Sequence, residues 1–395
     1  MKSNFSMVPY MMKRNPRLAL STARNFWTMY RAYGLSGDFP RRLLKRLSLL
    51  YLNLTPLCNL RCLMCGQRGI KGTLSGSAEQ EAAKSVLPLS VYEKLIREVQ
   101  KYHPMLYLWG GEPFLYPHLM ELGRMIISSG LNLSINTNGT FLEEYAEQVV
   151  RDKWSAIFVS VDGFEQINDE IRGKNSYARA MAGIAAINRE KKKRGVPLPN
   201  LGIVSVVNRI NYRYMGDLVK AGQNYDLSWH IINLGTYTCD KVVEENKRFY
   251  RENFGVEACH LEAYNTGFNE GIDGEEFYRI LTDIHALGSK YPIITVPAIR
   301  PKLIQDYYGF PGKALLGRCP VPWSQANINY NGDVHFCADY PDYILGNIQN
   351  EDFWTIYNNS RAQAFREKLK NSPRGIFPGC LRCYQNMLFG RRVRA

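Results

Sequence analysis

The 395-residue sequence contains no long hydrophobic run, no internal repeat and no low-complexity segment. No stretch approaches the ~20 apolar residues that a membrane-spanning helix needs, and the first residues lack the apolar core and small-residue cleavage site of a secretory signal. Hydrophobic residues make up 45% and charged residues 22%, as in ordinary globular proteins. We therefore expect a cytoplasmic protein of two or three domains, or of one large domain with a satellite.

Acidic residues are nearly absent from the N-terminal segment. Residues 1–50 contain ten lysines and arginines but a single acid, Asp38, which gives this segment a net charge of +9 out of +14 for the whole chain. Three further arginines lie within the last five residues, so the remainder is close to neutral. Enzymes of nucleic acids usually carry their basic surface beside the active site. Because the excess of positive charge lies on the terminal segments, we expect no nucleic-acid partner.

An amphipathic helix is predicted from Arg17 to Tyr33, inside a basic helical extension of residues 1–47. Its apolar residues recur at three- and four-residue steps and form one stripe: Leu20, Ala23, Trp27 and Tyr30. Its arginines recur every seven residues on another face: Arg17, Arg24 and Arg31. Such a helix can lie on an anionic membrane surface, which would give a peripheral contact at the inner membrane face. The alternative is that the apolar stripe packs on the main domain and leaves the arginines in solvent.

From residue 48 onward, apolar runs of strand length alternate with helical segments. The six runs are Leu49–Thr55, Met105–Trp109, Leu131–Asn136, Ala156–Val161, Leu201–Val207 and Leu227–Leu234. This alternation implies parallel strands with right-handed crossovers, and strands this apolar suit a sheet covered on both faces. We predict an α/β fold, a partial (β/α)6 TIM-like barrel over residues 48–240, with its site at the carboxyl ends of the strands.

Beyond residue 240 the alternation stops. Residues 241–315 contain two predicted helices, Glu244–Phe254 and Glu275–Ser289, and a proline-rich passage, and we interpret them as a helical connecting region. Residues 316–395 carry four cysteines, turn-rich segments and one helix near Ser360–Lys370. A segment of this size buries little core of its own, which predicts a small C-terminal domain stabilised by metal.

Cysteine is clustered in this sequence. In a reducing compartment, clustered cysteines hold metal or do chemistry more often than they form disulfides. Cys58, Cys62 and Cys65 form a C-x-x-x-C-x-x-C motif directly after the first strand, where three thiolates can hold three irons of a [4Fe–4S] cluster and leave the fourth open. Zinc is the alternative, but structural zinc takes four ligands and no fourth Cys or His lies nearby in the sequence.

The cysteine motif resembles the signature of the radical S-adenosylmethionine (SAM) superfamily. In that family the amino and carboxylate groups of SAM chelate the open iron, and one electron cleaves the sulfonium to give a 5′-deoxyadenosyl radical. Later motifs also match, and the resemblance implies that they bind SAM: Gly110, Gly111, Glu112 and Pro113 as a GGEP loop, then Asn138, Ser160, Asp162 and Arg172. Two glycines permit a ligand to approach the backbone closely, and a carboxylate can accept a hydrogen bond from the amino group of SAM. For the Asn-Gly and Asp-Gly pairs, turn chemistry is an equal alternative.

A second set of cysteines consists of Cys319, Cys337, Cys380 and Cys383. Four thiolates complete the shell of a [4Fe–4S] cluster, and zinc is the rival because four cysteines ending in C-x-x-C also describe a zinc ribbon. The run 327–337, followed by Leu345–Ile348, resembles the SPASM/Twitch extension of radical SAM enzymes. Only four cysteines lie in this region, which implies a single-cluster, Twitch-type form. Cys239 and Cys259 are left over, and we expect both to be packed in the interior.

The resemblance spans about residues 48–390 and implies an enzyme with two [4Fe–4S] clusters that uses SAM to abstract a substrate hydrogen atom. The auxiliary cluster would accept an electron, giving oxidation or bond formation on a small molecule such as a sugar, a cyclitol or a lipid. An electron donor such as flavodoxin or ferredoxin is implied.

Two alternatives stay open: a maturase of ribosomally made peptides, whose leader-binding domain the basic extension does not resemble, and a non-catalytic iron–sulfur scaffold. No catalytic side chain is assigned, since His230 on the sixth strand is more simply a packed histidine than a base.

Overall fold

The computed structural model describes residues 16–34, 46–74, 77–298 and 301–392. The strands in this part of the chain are β1 (Leu49–Asn53), β2 (Met105–Trp109), β3 (Asn132–Thr137), β4 (Ala156–Ser160), β5 (Asn200–Val206), β6 (Trp229–Asn233), β7 (Ile293–Val296), β8 (Leu316–Gly317), β9 (Gln325–Ile328), β10 (Asp333–His335), β11 (Gly346–Asn347) and β12 (Arg391–Arg392).

The α-helices in the same residues are α1 (Pro16–Gly34), α2 (Ser77–Lys84), α3 (Leu89–Val99), α4 (Leu119–Ser128), α5 (Leu142–Arg151), α6 (Glu165–Arg172), α7 (Ser176–Arg194), α8 (Met215–Gly222), α9 (Asp240–Phe254), α10 (Gly274–Ala286), α11 (Pro301–Gly309), α12 (Phe353–Asn358), α13 (Ser360–Asn371) and α14 (Tyr384–Phe389). Short 3-10 turns lie at Gln100–Tyr102, Pro113–Leu115, Tyr212–Tyr214, His260–Tyr264, Val321–Trp323, Pro373–Gly375 and Pro378–Arg382.

Strands β1 to β7 run parallel and lie side by side in sequence order. Helices connect them, so the predicted α/β partial barrel is confirmed, and each of the six predicted strands agrees with an observed strand to within two residues at either end. The seventh strand, β7, pairs with β6. The sequence pattern misses it because only four residues, directly after Pro292, carry its signal.

The C-terminal part joins the edge of the barrel. β9 pairs in parallel with β1, with Leu49 opposite Gln325, and β10 and β11 extend the sheet in antiparallel order. Helix α14 begins directly after Cys383 and contacts both β7 and the 3-10 turn that leads into β9. It therefore bridges the two open edges of the barrel.

Alternate side chains of the strands divide between the helical layer and the barrel interior. On β1, Leu50 and Leu52 are fully buried in the main hydrophobic core, whereas Tyr51 faces the interior. The hydrophobic core thus lies between the sheet and its helices, and the interior of the barrel is left for the site.

Helix α1 lies at the amino end of the barrel, where Met29 packs with Phe389. The alternative in which the stripe of Leu20 and Trp27 packs on the main domain is wrong, because these side chains are 60% and 65% exposed. The buried positions are Ala19 and Met29, on a neighbouring face of the same helix. Hydrophobic periodicity locates an apolar stripe but does not tell whether the main domain covers it.

Several parts of the basic extension lie outside the described residues, namely 1–15, 35–45 and the side chains of Arg17 and Tyr30. In the described part of the chain, no helix is both long and apolar enough to cross a membrane.

Candidate active site and iron–sulfur centres

A cavity of about 540 Å³ occupies the barrel interior. At one end it reaches the cysteine loop that follows β1, and at the other it reaches α1 and the first residues of β2, β4, β6 and β9. A five-residue strand rises about 16 Å at ~3.3 Å per residue. The cavity therefore extends over the whole height of the barrel, and its wall is mostly apolar.

The loop after β1 turns its three motif cysteines toward this cavity, and all three are half-buried. Nη1 of Arg172 lies 3.8 Å from Cys62 Sγ, and Nδ2 of Asn138 lies 4.0 Å from Cys58 Sγ. Burial raises the pKa of the Cys58 thiol to about 11 and that of Cys62 to about 12. Thiols in such surroundings stay protonated unless a metal ion takes the place of the proton.

These residues fit a [4Fe–4S] cluster with one open iron. The three thiols are close enough to one another to interact electrostatically, the donors are those that iron–sulfur clusters take, and the cavity leaves space on the fourth side. Within the described ranges, no three Cys, His, Asp or Glu side chains surround one point as metal ligands. The fit therefore rests on the proximity of the three thiols and on their chemistry.

The GGEP loop after β2 is tied directly to the cysteine loop. The backbone N–H of Gly111 donates to the carbonyl of Thr55 at 2.8 Å, and that of Glu112 donates to the carbonyl of Leu57 at 2.7 Å. Loops that follow adjacent parallel strands meet at one edge of the sheet. The two motifs thus form one structural unit.

Close packing explains the glycines of this loop. A Cβ on Gly110 would lie 2.7 Å from Asn53 Oδ1, and the φ of 147° at Gly110 is one that other residues rarely adopt. Gly110 and Gly111 line the cavity, whereas Pro113 is buried behind them at the start of a 3-10 turn. At these two glycines the backbone itself, without a side chain, forms the cavity wall.

Glu112 is fully buried, and donors of the protein surround its carboxylate. Oε1 accepts from Thr137 Oγ1 at 2.7 Å and from the N–H of Phe114 at 3.2 Å, and Oε2 accepts from the N–H of Asn138 at 2.8 Å. Burial raises the pKa of Glu112 to about 7. The side chain is not part of the cavity wall. It connects the loops after β2 and β3, and a contact with the amino group of SAM stays a prediction.

Asn138 and Ser160 do line the cavity. Asn138 Nδ2 donates to Asn59 Oδ1 in the cysteine loop at 2.8 Å, and its Oδ1 accepts from Thr140 Oγ1 at 2.7 Å. Asn136 Nδ2 donates to Ser160 Oγ at 3.4 Å. Asn138 therefore joins the ends of β1 and β3 at the wall of the site.

Asp162 and Arg172 form a buried ion pair, with Oδ2 and Nε 2.7 Å apart. Oδ1 of Asp162 also accepts from the N–H of Val206 at 2.7 Å. Arg172 lines the cavity and reaches Cys62, whereas Asp162 lies behind it. The pair thus fixes the arginine in the wall. Five of the eight predicted SAM contacts line the cavity: Gly110, Gly111, Asn138, Ser160 and Arg172. The other three lie behind the wall: Glu112, Pro113 and Asp162.

The C-terminal cysteines come together away from the cavity. Cys380 and Cys383 are buried, and Cys319 and Cys337 are half-buried. Electrostatic interactions link Cys337 to Cys380, Cys319 and Cys383. Burial raises the pKa of Cys319 to about 12 and that of Cys380 to about 11. Four thiols fit a cluster whose ligand shell is complete within the protein, and the same donors also fit zinc.

Asp339 lies between the two cysteine sets and is missed by the sequence motifs. Its Oδ2 is 3.7 Å from Cys383 Sγ, its Oδ1 accepts from the hydroxyl of Tyr264 at 3.4 Å, and its side chain lines the cavity. The one signal in the sequence is its position two residues after Cys337.

His230 is packed, as the sequence suggests. It is fully buried, its Nε2 lies 2.8 Å from Ser205 Oγ, and burial lowers its pKa to about 3. Cys239 is half-buried beside Leu261. The expectation of a packed Cys259 is wrong, because this side chain is exposed at the end of a loop.

Comparison with known proteins agrees with this geometry. The model of the radical SAM superfamily matches residues 52–221, and that of the SPASM iron–sulfur cluster-binding domain matches residues 319–384. The serine-type anaerobic sulfatase-maturating enzyme of Bacteroides thetaiotaomicron is 31% identical over 349 residues, which cover 80% of this chain and 76% of that protein. The chain belongs to the radical SAM superfamily. As a radical SAM/SPASM enzyme, it uses SAM with a [4Fe–4S] cluster and carries an iron–sulfur-binding C-terminal domain.

Other radical SAM relatives differ in what their names describe. The AdoMet-dependent heme synthase of Oleidesulfovibrio alaskensis is 27% identical over 349 residues, 86% of this chain and 81% of that protein. The structure of Streptococcus suis SuiB bound to S-adenosylmethionine has a TM-score of 0.60 and 15% identity, over 95% of this chain and 77% of that chain. This likeness establishes the shared fold.

Proposed function

We propose that this enzyme cleaves SAM reductively at a cluster held by Cys58, Cys62 and Cys65 and abstracts a hydrogen atom from a small molecule in the barrel cavity. The observation that carries the proposal is the cavity itself, which begins at the three thiols and continues through a mostly apolar barrel. The bound cluster and SAM would supply a 5′-deoxyadenosyl radical. Product formation would be an oxidation or a new bond.

The residues of the wall would bind and orient SAM. Gly110 and Gly111 offer backbone groups, Arg172 offers a guanidinium for a carboxylate, and Asn138 and Ser160 offer polar side chains. Glu112, Pro113 and Asp162 would act from behind the wall, since the first joins two loops and the last holds Arg172. The apolar wall below this layer would keep water from the reacting atoms.

We further propose one auxiliary [4Fe–4S] cluster on Cys319, Cys337, Cys380 and Cys383, with the role of accepting an electron from the substrate. Its support is that the four thiols interact electrostatically with one another and that Asp339 links this set to the cavity. Flavodoxin or ferredoxin would donate the electron that starts the reaction.

Peptide maturation is the second candidate, and the similarity to a sulfatase-maturating enzyme favours it. The shape of the cavity favours a small molecule, because α1 lies across its lower end and α14 bridges the gap in the barrel wall. We rank the small molecule first for this reason. The non-catalytic scaffold is set aside, since the chain is a radical SAM enzyme.

Anaerobic reconstitution with iron and sulfide tests the proposal. The loaded protein, given SAM and dithionite, should release 5′-deoxyadenosine, and omission of dithionite should stop the release. Loaded protein that binds iron but releases no 5′-deoxyadenosine would contradict it.

A further inference from the structure

Four basic side chains line a groove of about 260 Å³ between α1 and the residues before β1 and β2: Arg24, Arg31, Arg46 and Lys101. We call this surface the basic groove. Trp27 and Tyr102 form part of its wall. In the described part of the chain, none of the four cations pairs with a carboxylate. Three guanidiniums and an ammonium around one groove favour a phosphate, which arginine binds through paired hydrogen bonds.

The basic groove and the barrel cavity meet at α1. Asn25 borders both, while Thr22 and Met29 on the same helix face the cavity. Helix α1 therefore lies between the basic groove and the lower end of the cavity.

The cavity above α1 suits an apolar chain. Met105, Tyr107 and Phe158 line it between the helix and the cysteine loop. Small barrels usually fill this space with layers of side chains, but here it stays open over its full height.

We propose that the substrate is an amphipathic lipid with a phosphate head group. The phosphate lies in the basic groove, and the apolar chain passes Asn25 into the cavity and ends near the cysteine loop. Exposed Leu20 and Trp27 on the outer face of α1 would meet the surface from which such a lipid is taken. This inference rests on the proposed function, because it places a C–H bond of the chain beside the SAM site.

A brominated probe tests the inference on the reconstituted full-length enzyme. Bromine quenches tryptophan fluorescence at contact, so a lysophosphatidate with a dibrominated acyl chain reports where its chain lies. Trp109 and Trp229 both line the cavity, so we expect saturable quenching that is lost in the double variant Trp109→Phe with Trp229→Phe and kept in Trp27→Phe. Quenching lost only in Trp27→Phe would place the acyl chain outside the cavity, at the groove or the outer surface, and overturn the proposal.

The head group is tested by charge removal. We expect the double substitution R24Q/R31Q to weaken probe binding about tenfold or more, the effect of losing charge-assisted hydrogen bonds. The matched control R189Q/K193Q removes two charges from α7 and should change nothing. A monoacylglycerol with the same brominated chain but no phosphate should bind the wild type as weakly as the probe binds R24Q/R31Q. Equal binding of both probes to all variants would overturn the phosphate assignment.

Two further measurements separate the sources of phosphate and the two proposals. In the first, the overturning result is that the wild type but not R24Q/R31Q co-sediments with phosphatidylglycerol vesicles, and that the soluble probe does not quench Trp229. The groove would then bind only a membrane surface, and the substrate assignment would fail. Release of 5′-deoxyadenosine without probe binding would refute this inference and leave the proposed function intact. Probe binding without any SAM cleavage would refute the proposed function instead.

Discussion

The two cysteine sets offer the same donor atom, a thiol sulfur, in different surroundings. The thiols of Cys58, Cys62 and Cys65 are half-buried and line the barrel cavity, whereas Cys380 and Cys383 are buried and no thiol of the C-terminal set lines it. Asp339 lines the cavity and lies beside Cys383, so it contacts both regions. The two sets therefore differ in how accessible their thiols are from the cavity, and not in the type of ligand atom.

The chain produces this difference by where it places each set. The first set occupies one loop at the carboxyl end of β1, where the ends of parallel strands leave a ligand site. The second set comes from three segments that enclose it, one before β9, one after β10 and one before α14. A ligand set in one open loop leaves an iron free, while an enclosed set of four does not. We therefore assign SAM cleavage to the first set alone.

The largest expected effect comes from removing the open set. Replacing Cys58, Cys62 and Cys65 together by alanine should lower the iron content from about eight to about four per chain, as expected for losing one of two [4Fe–4S] clusters. Production of 5′-deoxyadenosine should stop. Undiminished SAM cleavage in this variant would refute the assignment.

Removing two ligands of the enclosed set should give a different loss. In Cys380→Ala with Cys383→Ala, we expect the auxiliary iron to be lost and SAM cleavage to continue, with 5′-deoxyadenosine formed without oxidised product. Substitution of the exposed Cys259 by alanine is the control, and this variant should keep both SAM cleavage and formation of the oxidised product. Zinc instead of iron at this site in anaerobically purified wild type would end the electron-acceptor role.

The ion pair behind the cavity wall should matter for stability. Asp162→Ala leaves the buried guanidinium of Arg172 without its partner, and we expect a loss of about 3–5 kcal/mol in the free energy of unfolding. Asp217→Ala, which breaks an exposed pair with Lys220, should cost at most about 1 kcal/mol. Anaerobic urea unfolding measures both, and equal effects would contradict the role of Asp162.

A smaller effect is expected at Glu112. Glutamine in its place has one acceptor oxygen, so an amide nitrogen would face either the N–H of Asn138 or the donors at Thr137 and Phe114. Losing such a charge-assisted hydrogen bond costs about 1.5–3 kcal/mol in the contacts that join the loops after β2 and β3. Because Gly111 and Asn138 of these loops line the cavity, we expect SAM binding to weaken by at most this amount, with the auxiliary iron unchanged. The exposed control Glu351→Gln should bind SAM as the wild type does. An unchanged SAM dissociation constant in Glu112→Gln would show that the loop contacts are dispensable.

Local pattern was enough to predict most of the barrel but not all of it. The six predicted strands are apolar runs flanked by turns and helices, so each of them carries its own local signal. β7 has four residues and depends on pairing with β6, which no local pattern contains. The exposed Leu20 and Trp27 show the same limit, since periodicity cannot tell a packed face from an exposed one.

The site divides in the same way. The cysteine motif and the glycines lie in single loops, so their spacing carried the information. The direction of the Glu112 side chain depends on the loop after β3, and the position of Asp339 depends on how the C-terminal domain meets the barrel. Both are set by contacts between distant parts of the chain.

Electron paramagnetic resonance of the dithionite-reduced protein, titrated with SAM, measures the access of each cluster directly. Two reduced [4Fe–4S] signals should be present, and SAM should shift one of them and leave the other unchanged. The shifting signal should persist in the variant that lacks Cys380 and Cys383. A spectrum in which both signals respond to SAM, or neither does, would contradict the division between an open and an enclosed cluster.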